Sequence, residues 1–232
     1  MTADLTAPGS SGPGSSGGAQ EAATRAVEEQ AFYHEAALNA AWTGSRLAIG
    51  GLSFLFGSFA FAYFYLQSAN EDKKWFPSST TPPHQWYGAV IMALVVVSAA
   101  VQTIGLQRIK AGRKAPWSQA ALVALFFGVS AVALQIVELL TLPFEPGQSG
   151  YASVFTGFYP VALTIWLCAM IWLEILFMRA RSIPAISFVE QPPTYSEAFN
   201  VQRFQASLSS FTFVWNYLAV ITFIFWVLFY LR

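Results

Sequence analysis

The chain has 232 residues, and its 12 Lys and Arg residues balance 12 Asp and Glu residues, so the formal net charge is zero. Hydrophobic residues make up 55% of the chain and charged residues 10%, whereas a soluble domain carries about 25% charged residues. This composition argues against a soluble globular protein and predicts an integral membrane protein. Without net positive charge, nucleic acid is not an expected partner.

The N-terminal region, residues 1–42, contains no stretch long and apolar enough to cross a membrane. Residues 1–18 are rich in Gly, Ser and Pro, so we expect a disordered tail. They do not resemble a signal peptide, because Asp4 lies where basic residues are needed and no apolar run follows. Residues 19–42 are rich in Ala and Glu, so we expect them to form a helix at the surface or at the membrane interface.

Residues 43–232 predict one transmembrane domain of five helices. A helix needs about 20 apolar residues to cross the hydrocarbon core, and five stretches of this domain are that long. They are too long for the strands of a membrane barrel, which need about 9–11 residues of alternating polarity. The predicted spans are residues 47–66, 86–106, 120–142, 151–178 and 208–231. The expected fold class is therefore an all-α membrane bundle.

The distribution of basic residues predicts the orientation of this bundle. Most Lys and Arg residues fall in the N-terminal segment and in the loops after the second and fourth predicted helices. The opposite side receives only Lys73, Lys74 and Arg232. Because basic segments stay in the cytoplasm, we expect a cytoplasmic N-terminus and a C-terminus outside.

Glu138, in the third predicted helix, is the strongest candidate for a polar site inside the bundle. An ionisable side chain within a membrane segment is costly, which favours a functional site or a bonding partner. Gln135 lies three residues earlier, on the same helix face. The pair predicts a polar interior that binds a lipid head group or relays protons. The alternative is that Glu138 extends outward to the interface, because Pro143 and the outer loop are close.

We expect the other polar residues within the predicted spans to stabilise the structure through ion pairs or hydrogen bonds. Glu174 lies near the end of the fourth predicted helix, where we expect an interfacial ion pair with Arg179 or an outward-extending side chain. Asn216 in the fifth helix and Gln102 in the second are neutral, and they predict hydrogen bonds between helices. Asn216 also joins Gln135 and Glu138 as a candidate for the polar interior.

The residues that metals and nucleophilic catalysis require are scarce. The two histidines, His34 and His84, fall on opposite sides of the predicted membrane, so this chain is not expected to ligate haem through two histidines. Cys168 is the only cysteine, which rules out a disulfide within the chain. No phosphate-binding loop or nucleophile elbow occurs. We therefore assign no catalytic, metal-binding or cofactor-binding residue.

Several short segments occur in the order and spacing of a known membrane family. They are residues 59–64 with Trp75-Phe76-Pro77, residues 102–112, Gln135-Ile136-Val137-Glu138, residues 143–144, 150–155, 213–217 and 225–230. From residue 41 to the C-terminus, the chain resembles subunit III of haem-copper oxidases (cytochrome c oxidase) in its five-helix bacterial form. Gln135 and Glu138 match the family's Gln-x-x-Glu motif, so the resemblance implies that their roles in the family apply to this chain.

The chain also departs from this family. The family's first helix carries a carboxylate, whereas residues 48–56 contain none. The family's Gly-Phe-His-x-x-His pattern is replaced by Gly157-Phe158-Tyr159-Pro160, without histidine. Asn216 and Ala219 stand where the last helix of the family has His and Asp. Roles linked to those residues in the family are therefore not expected here.

The resemblance implies an accessory subunit without a redox centre of its own. In an aerobic electron transport chain, it would stabilise the catalytic subunit I, beside subunit II, and hold phospholipid in a cleft. Haem and copper would belong to those partners, and the location would be a bacterial plasma membrane. One alternative is the subunit III-like protein of nitric oxide reductases. Another is a free-standing small-solute transporter, which the missing internal repeat disfavours.

Overall fold

The computed structural model describes residues 15–69, 75–76, 81–189 and 194–231, and every regular element within them is helical. Five α-helices are long and apolar enough to span a membrane. The protein is therefore an all-α, multi-pass membrane protein, which confirms the predicted fold class. The helices are α1 (Ser15–Ser68), α2 (Gln85–Lys110), α3 (Lys114–Leu140), α4 (Gly150–Ser182) and α5 (Tyr195–Tyr230), with a short 3-10 turn at Ile186–Phe188.

The core of the bundle lies around α4 and α5. These two helices contact each other, and α1 packs against both. On the other side, α2 contacts α3 and α5, while α3 contacts α4. The largest fully buried side chains include Trp117, Phe155, Phe211, Trp215 and Phe229. The least enclosed helix is α1, because only 11% of its most apolar stretch is buried, against 33% to 39% in the other four.

The structure differs from the sequence prediction along α1. This helix runs without a break through residues 42–47, where we expected a surface helix to end and the first span to begin. It also includes residues 15–18, which were assigned to the disordered tail. Gly44 is the one glycine in the interval, and a single glycine costs a helix only about 1 kcal/mol. The apolar span therefore continues into a polar helix.

The fifth helix also begins earlier than predicted, at Tyr195 instead of residue 208. Its added turns are amphipathic, and Phe204 packs its ring against Trp117 with 5.5 Å between ring centroids. Within the same turns, Gln202 Oε1 lies 3.2 Å from His34 Nε2 of α1. An apolar window marks only the part of a helix that lies in hydrocarbon, so it misses such extensions.

Some predictions fall outside the described residues. They concern residues 1–14 of the predicted tail and Pro77 of the Trp-Phe-Pro motif. They also concern Lys73, Lys74 and Arg232, which are the basic residues of the predicted outer side. The membrane orientation therefore stays a prediction from the sequence.

The turn between α2 and α3 depends on a glycine. Gly112 has φ +77°, in the left-handed region that favours glycine. An added Cβ there would lie 3.0 Å from the carbonyl oxygen of Phe188. Beside it, Lys114 Nζ donates a hydrogen bond to the carbonyl oxygen of Ile183. These contacts fix the α2–α3 turn against the segment that follows α4.

Candidate functional site

The carboxyl group of Glu138 lies at the junction of three helices. Glu138 is in the last turns of α3 and is only 2% exposed. Tyr159 of α4 donates a hydrogen bond to Oε2 at 2.6 Å, and Tyr230 at the end of α5 donates one to Oε1 at 2.5 Å. The two tyrosine hydroxyl oxygens are themselves 2.5 Å apart. We call Glu138, Tyr159 and Tyr230 the carboxyl cluster; its Glu138 points into the bundle and not outward to the interface.

Aromatic rings enclose the carboxyl cluster. The ring of Phe155 stacks on that of Tyr159 with 4.3 Å between centroids. Phe155 also contacts the ring of Phe229 at 5.1 Å, and Tyr151 Oη donates a hydrogen bond to the carbonyl oxygen of Phe229 at 3.0 Å. A polar group buried in such surroundings is destabilising unless it is hydrogen-bonded. The two tyrosines therefore make it possible for Glu138 to lie inside the bundle.

A fourth helix, α2, supports the carboxyl cluster through Tyr230. Gln85 Nε2 donates a hydrogen bond to the carbonyl oxygen of Tyr230 at 3.3 Å. Gly88, one turn later, leaves room for the tyrosine ring, because an added Cβ would lie 2.5 Å from its Cζ atom. The close approach of α2 to the end of α5 thus requires glycine at this position.

Gln135 lies one turn before Glu138 and borders the carboxyl cluster. It is 6% exposed, and its Oε1 has no hydrogen-bond partner among the described residues. A cavity of about 30 Å³ beside it is also lined by Tyr159, Tyr230 and Trp226. The indole Nε1 of Trp226 is likewise without a partner among those residues. Both unpartnered groups belong to residues that line the cavity, whose volume suits one small polar molecule such as water.

Asn216 belongs to a different polar contact. Its Nδ2 donates a hydrogen bond to Thr103 Oγ1 at 3.0 Å, and Gln102 Nε2 donates one to Thr212 Oγ1 at 3.4 Å. Both bonds join α2 to α5. Asn216 lies about 21 Å along α5 from Tyr230, at about 1.5 Å of helix rise per residue. The structure thus brings Gln135 and Glu138 together and leaves Asn216 apart from them.

The predicted ion pair between Glu174 and Arg179 is not formed. The ion pair that the described part of the chain contains joins Arg25 to Glu21 within α1, at 2.6 Å. Residues five apart on a helix point about 140° away from each other, whereas residues three or four apart are neighbours. Glu174 is instead exposed on the outer face of α4.

Sequence reasoning missed the two tyrosines that complete the carboxyl cluster. In the sequence, Tyr159 stands out only because histidine is absent there, and Tyr230 only as part of the closing segment, residues 225–230. A usable signal exists, because a buried tyrosine hydroxyl needs a hydrogen-bond partner and the apolar helices offer few acceptors. Only the packing of the helices shows that both hydroxyls reach one carboxyl group.

Comparison with known proteins adds no family assignment. No protein-family model matches the sequence, and no curated protein matches it significantly. Among the described residues, no three His, Cys, Asp or Glu side chains lie close enough together to hold a metal ion.

Proposed function

We propose that the chain is an accessory membrane subunit of a respiratory haem-copper oxidase, of the cytochrome c oxidase subunit III type. It would stabilise the catalytic subunit and bind phospholipid in a bacterial plasma membrane. Haem and copper would be held by the partner subunits. The proposal starts from the ordered sequence segments that resemble this family.

One observation carries the proposal: segments of the resemblance that are far apart in sequence meet at one end of the bundle. The ring of Trp75 contacts that of Tyr151 at 6.0 Å, and Tyr151 contacts Phe144 at 5.9 Å and Phe229 at 5.9 Å. Glu138, the last residue of the Gln-x-x-Glu segment, lies beside them in the carboxyl cluster. These contacts unite several segments of the resemblance in one packing unit, and that unit supports the proposal.

A basic cavity supports the phospholipid part of the proposal. A space of about 290 Å³ lies between the end of α4 and the beginning of α5. Its lining includes Arg179 and Arg203 together with the polar side chains of Ser182 and Asn200. Basic pockets between transmembrane helices suit anionic lipid head groups. By the predicted orientation, this end of the bundle faces the cytoplasm.

The proposal is tested by purifying the tagged chain from its own host in mild detergent. A reduced-minus-oxidised absorbance spectrum reports haem, and mass spectrometry identifies the chains that elute with it. We expect a haem signal together with a large partner rich in transmembrane histidines. The identity of that partner separates an oxygen-reducing complex from a nitric oxide reductase. A colourless chain that elutes alone, while other oxidases of the host stay intact, would contradict the proposal.

A further inference from the structure

Glu174 is an exposed carboxylate on an otherwise apolar face of α4. The surrounding exposed side chains on that face are Leu167, Ile171, Ile175 and Met178, and Ile171 is 57% exposed. Among the described residues, no hydrogen bond or ion pair to Glu174 is present. The chain thus directs a charged group outward from the bundle without supplying a partner for it.

The position of Glu174 within the predicted span makes contact with water difficult. Its Cα lies about 7.5 Å along the helix axis from that of Arg179, the first basic residue near the end of α4. Side chains on a helix lean toward its N-terminus, which here means away from Arg179 and toward the middle of the span. In the span predicted from the sequence, residues 151–178, a carboxylate in that direction faces hydrocarbon, where an uncompensated charge is costly and typically pairs with another group.

We propose that this face of α4 docks against a transmembrane helix of a different protein chain, whose cationic or hydrogen-bond-donating side chain contacts the Glu174 carboxylate. We call the exposed surface formed by Leu167, Ile171, Glu174 and Met178 the Glu174 face. The inference deepens the proposed function by locating the contact with the catalytic partner, and it rests on that function only for the partner's identity. Charge complementarity determines the chemistry of the occupant.

Two features of α4 favour a helix of another chain over other occupants. A second copy packed around a two-fold axis at this face would bring Glu174 opposite Glu174, which places like charges together. Toward the middle of α4, the exposed side chains of Thr164 and Cys168 are small, so a partner helix can approach closely there. A lipid tail would fill the apolar part of the face but supply no donor to the carboxylate.

The test uses the full chain in its native membrane with its natural partners. A photo-cross-linking amino acid is placed at Ile171, in the Glu174 face, and in a second sample at Phe54 of α1, which is 81% exposed. In parallel, Glu174→Gln and Glu174→Leu are compared by native gel electrophoresis. Thermal unfolding of each purified variant checks that the chain itself stays folded.

We expect position 171 to cross-link to a different protein chain and position 54 to cross-link mainly to lipid. Glu174→Leu should reduce association with that chain about tenfold, because a charge-assisted hydrogen bond is lost, while Glu174→Gln should retain part of it. Lipid adducts alone at position 171, a cross-linked second copy of this chain, or undiminished association of Glu174→Leu would each overturn the inference. If the cross-linked partner lacks haem, the docking surface stands and the proposed oxidase function fails. If haem co-purifies but position 171 forms no adduct with a partner, the proposed oxidase function stands and the docking surface fails.

Discussion

Two carboxylates in membrane-spanning helices have opposite surroundings in this protein. Glu138 is 2% exposed, and two tyrosine hydroxyls donate to its oxygens. Glu174 is exposed on α4 and has no such partner among the described residues. The difference indicates two roles: Glu138 holds α3, α4 and α5 of this chain together, whereas Glu174 is available to another molecule. Variants at these two positions should therefore affect different measurements.

Removal of the buried carboxylate should have the largest effect on the chain itself. Glu138→Leu leaves the hydroxyls of Tyr159 and Tyr230 buried without their acceptor, and we expect a loss of about 3 kcal/mol in unfolding free energy. The matched change Glu174→Leu should leave the stability of the isolated chain unchanged or raise it. Thermal unfolding in detergent measures both. Equal losses for the two variants would abolish the distinction between the carboxylates.

An added methyl group at Gly88 should disturb the carboxyl cluster indirectly. Because the new Cβ would lie 2.5 Å from Tyr230 Cζ, Gly88→Ala must displace the ring or separate α2 from α5. We expect a cost of about 2 kcal/mol, in the range of overpacked cores. Gly51→Ala is the control, since an added Cβ there meets nothing within 4 Å. A Gly88→Ala chain that unfolds at the wild-type temperature would show that Tyr230 does not occupy this place.

The two tyrosines should contribute together. Tyr159→Phe and Tyr230→Phe each remove one hydrogen bond to Glu138, and each should lower the unfolding free energy by about 1–2 kcal/mol. Because the hydroxyls bond one carboxyl group and lie 2.5 Å apart, the double variant should lose less than the sum of the single losses. The four proteins of this double-mutant cycle are compared by thermal unfolding. Strictly additive losses would indicate that the hydroxyls act independently.

The smallest effect on the unfolding free energy is expected for the hydrogen bond between Asn216 of α5 and Thr103 of α2. Asn216→Leu removes the bond from Nδ2 to Thr103 Oγ1, and Thr103 Oγ1 keeps a second bond at 2.9 Å to the carbonyl oxygen of Ala99. Hydrogen bonds between membrane helices average about 0.6 kcal/mol in double-mutant cycles, so we expect a loss of that order. A loss as large as that of Glu138→Leu would mean that Asn216 belongs to the essential polar interior after all.

The fold class followed from the sequence because the length of an apolar run reports directly on the thickness of hydrocarbon it crosses. The same signal gave no information on how α1 and α5 continue outside that layer, where Phe204 and His34 take part in tertiary contacts. The relation between Gln135 and Glu138 was also predictable, since both lie on one helix face.

Contacts between helices were beyond the reach of local patterns. Tyr159 and Tyr230 are 71 residues apart, and nothing in either neighbourhood indicates a shared acceptor. The expected ion pair of Glu174 with Arg179 does not form for a simpler reason, which is that residues five apart on a helix lie about 140° apart around its axis. Because this angle follows from the residue numbers alone, the sequence is sufficient to show that Glu174 and Arg179 are not neighbours on α4.

We propose above all that this chain works as a subunit attached through the Glu174 face. The most direct measurement is the haem absorbance that co-purifies per mole of tagged chain, in the wild type and in Glu174→Leu. We predict a clear haem signal with the wild type and a several-fold lower signal with Glu174→Leu, at equal amounts of folded chain. A wild-type chain without haem, from membranes whose other oxidases remain intact, would contradict the proposed role as an oxidase subunit.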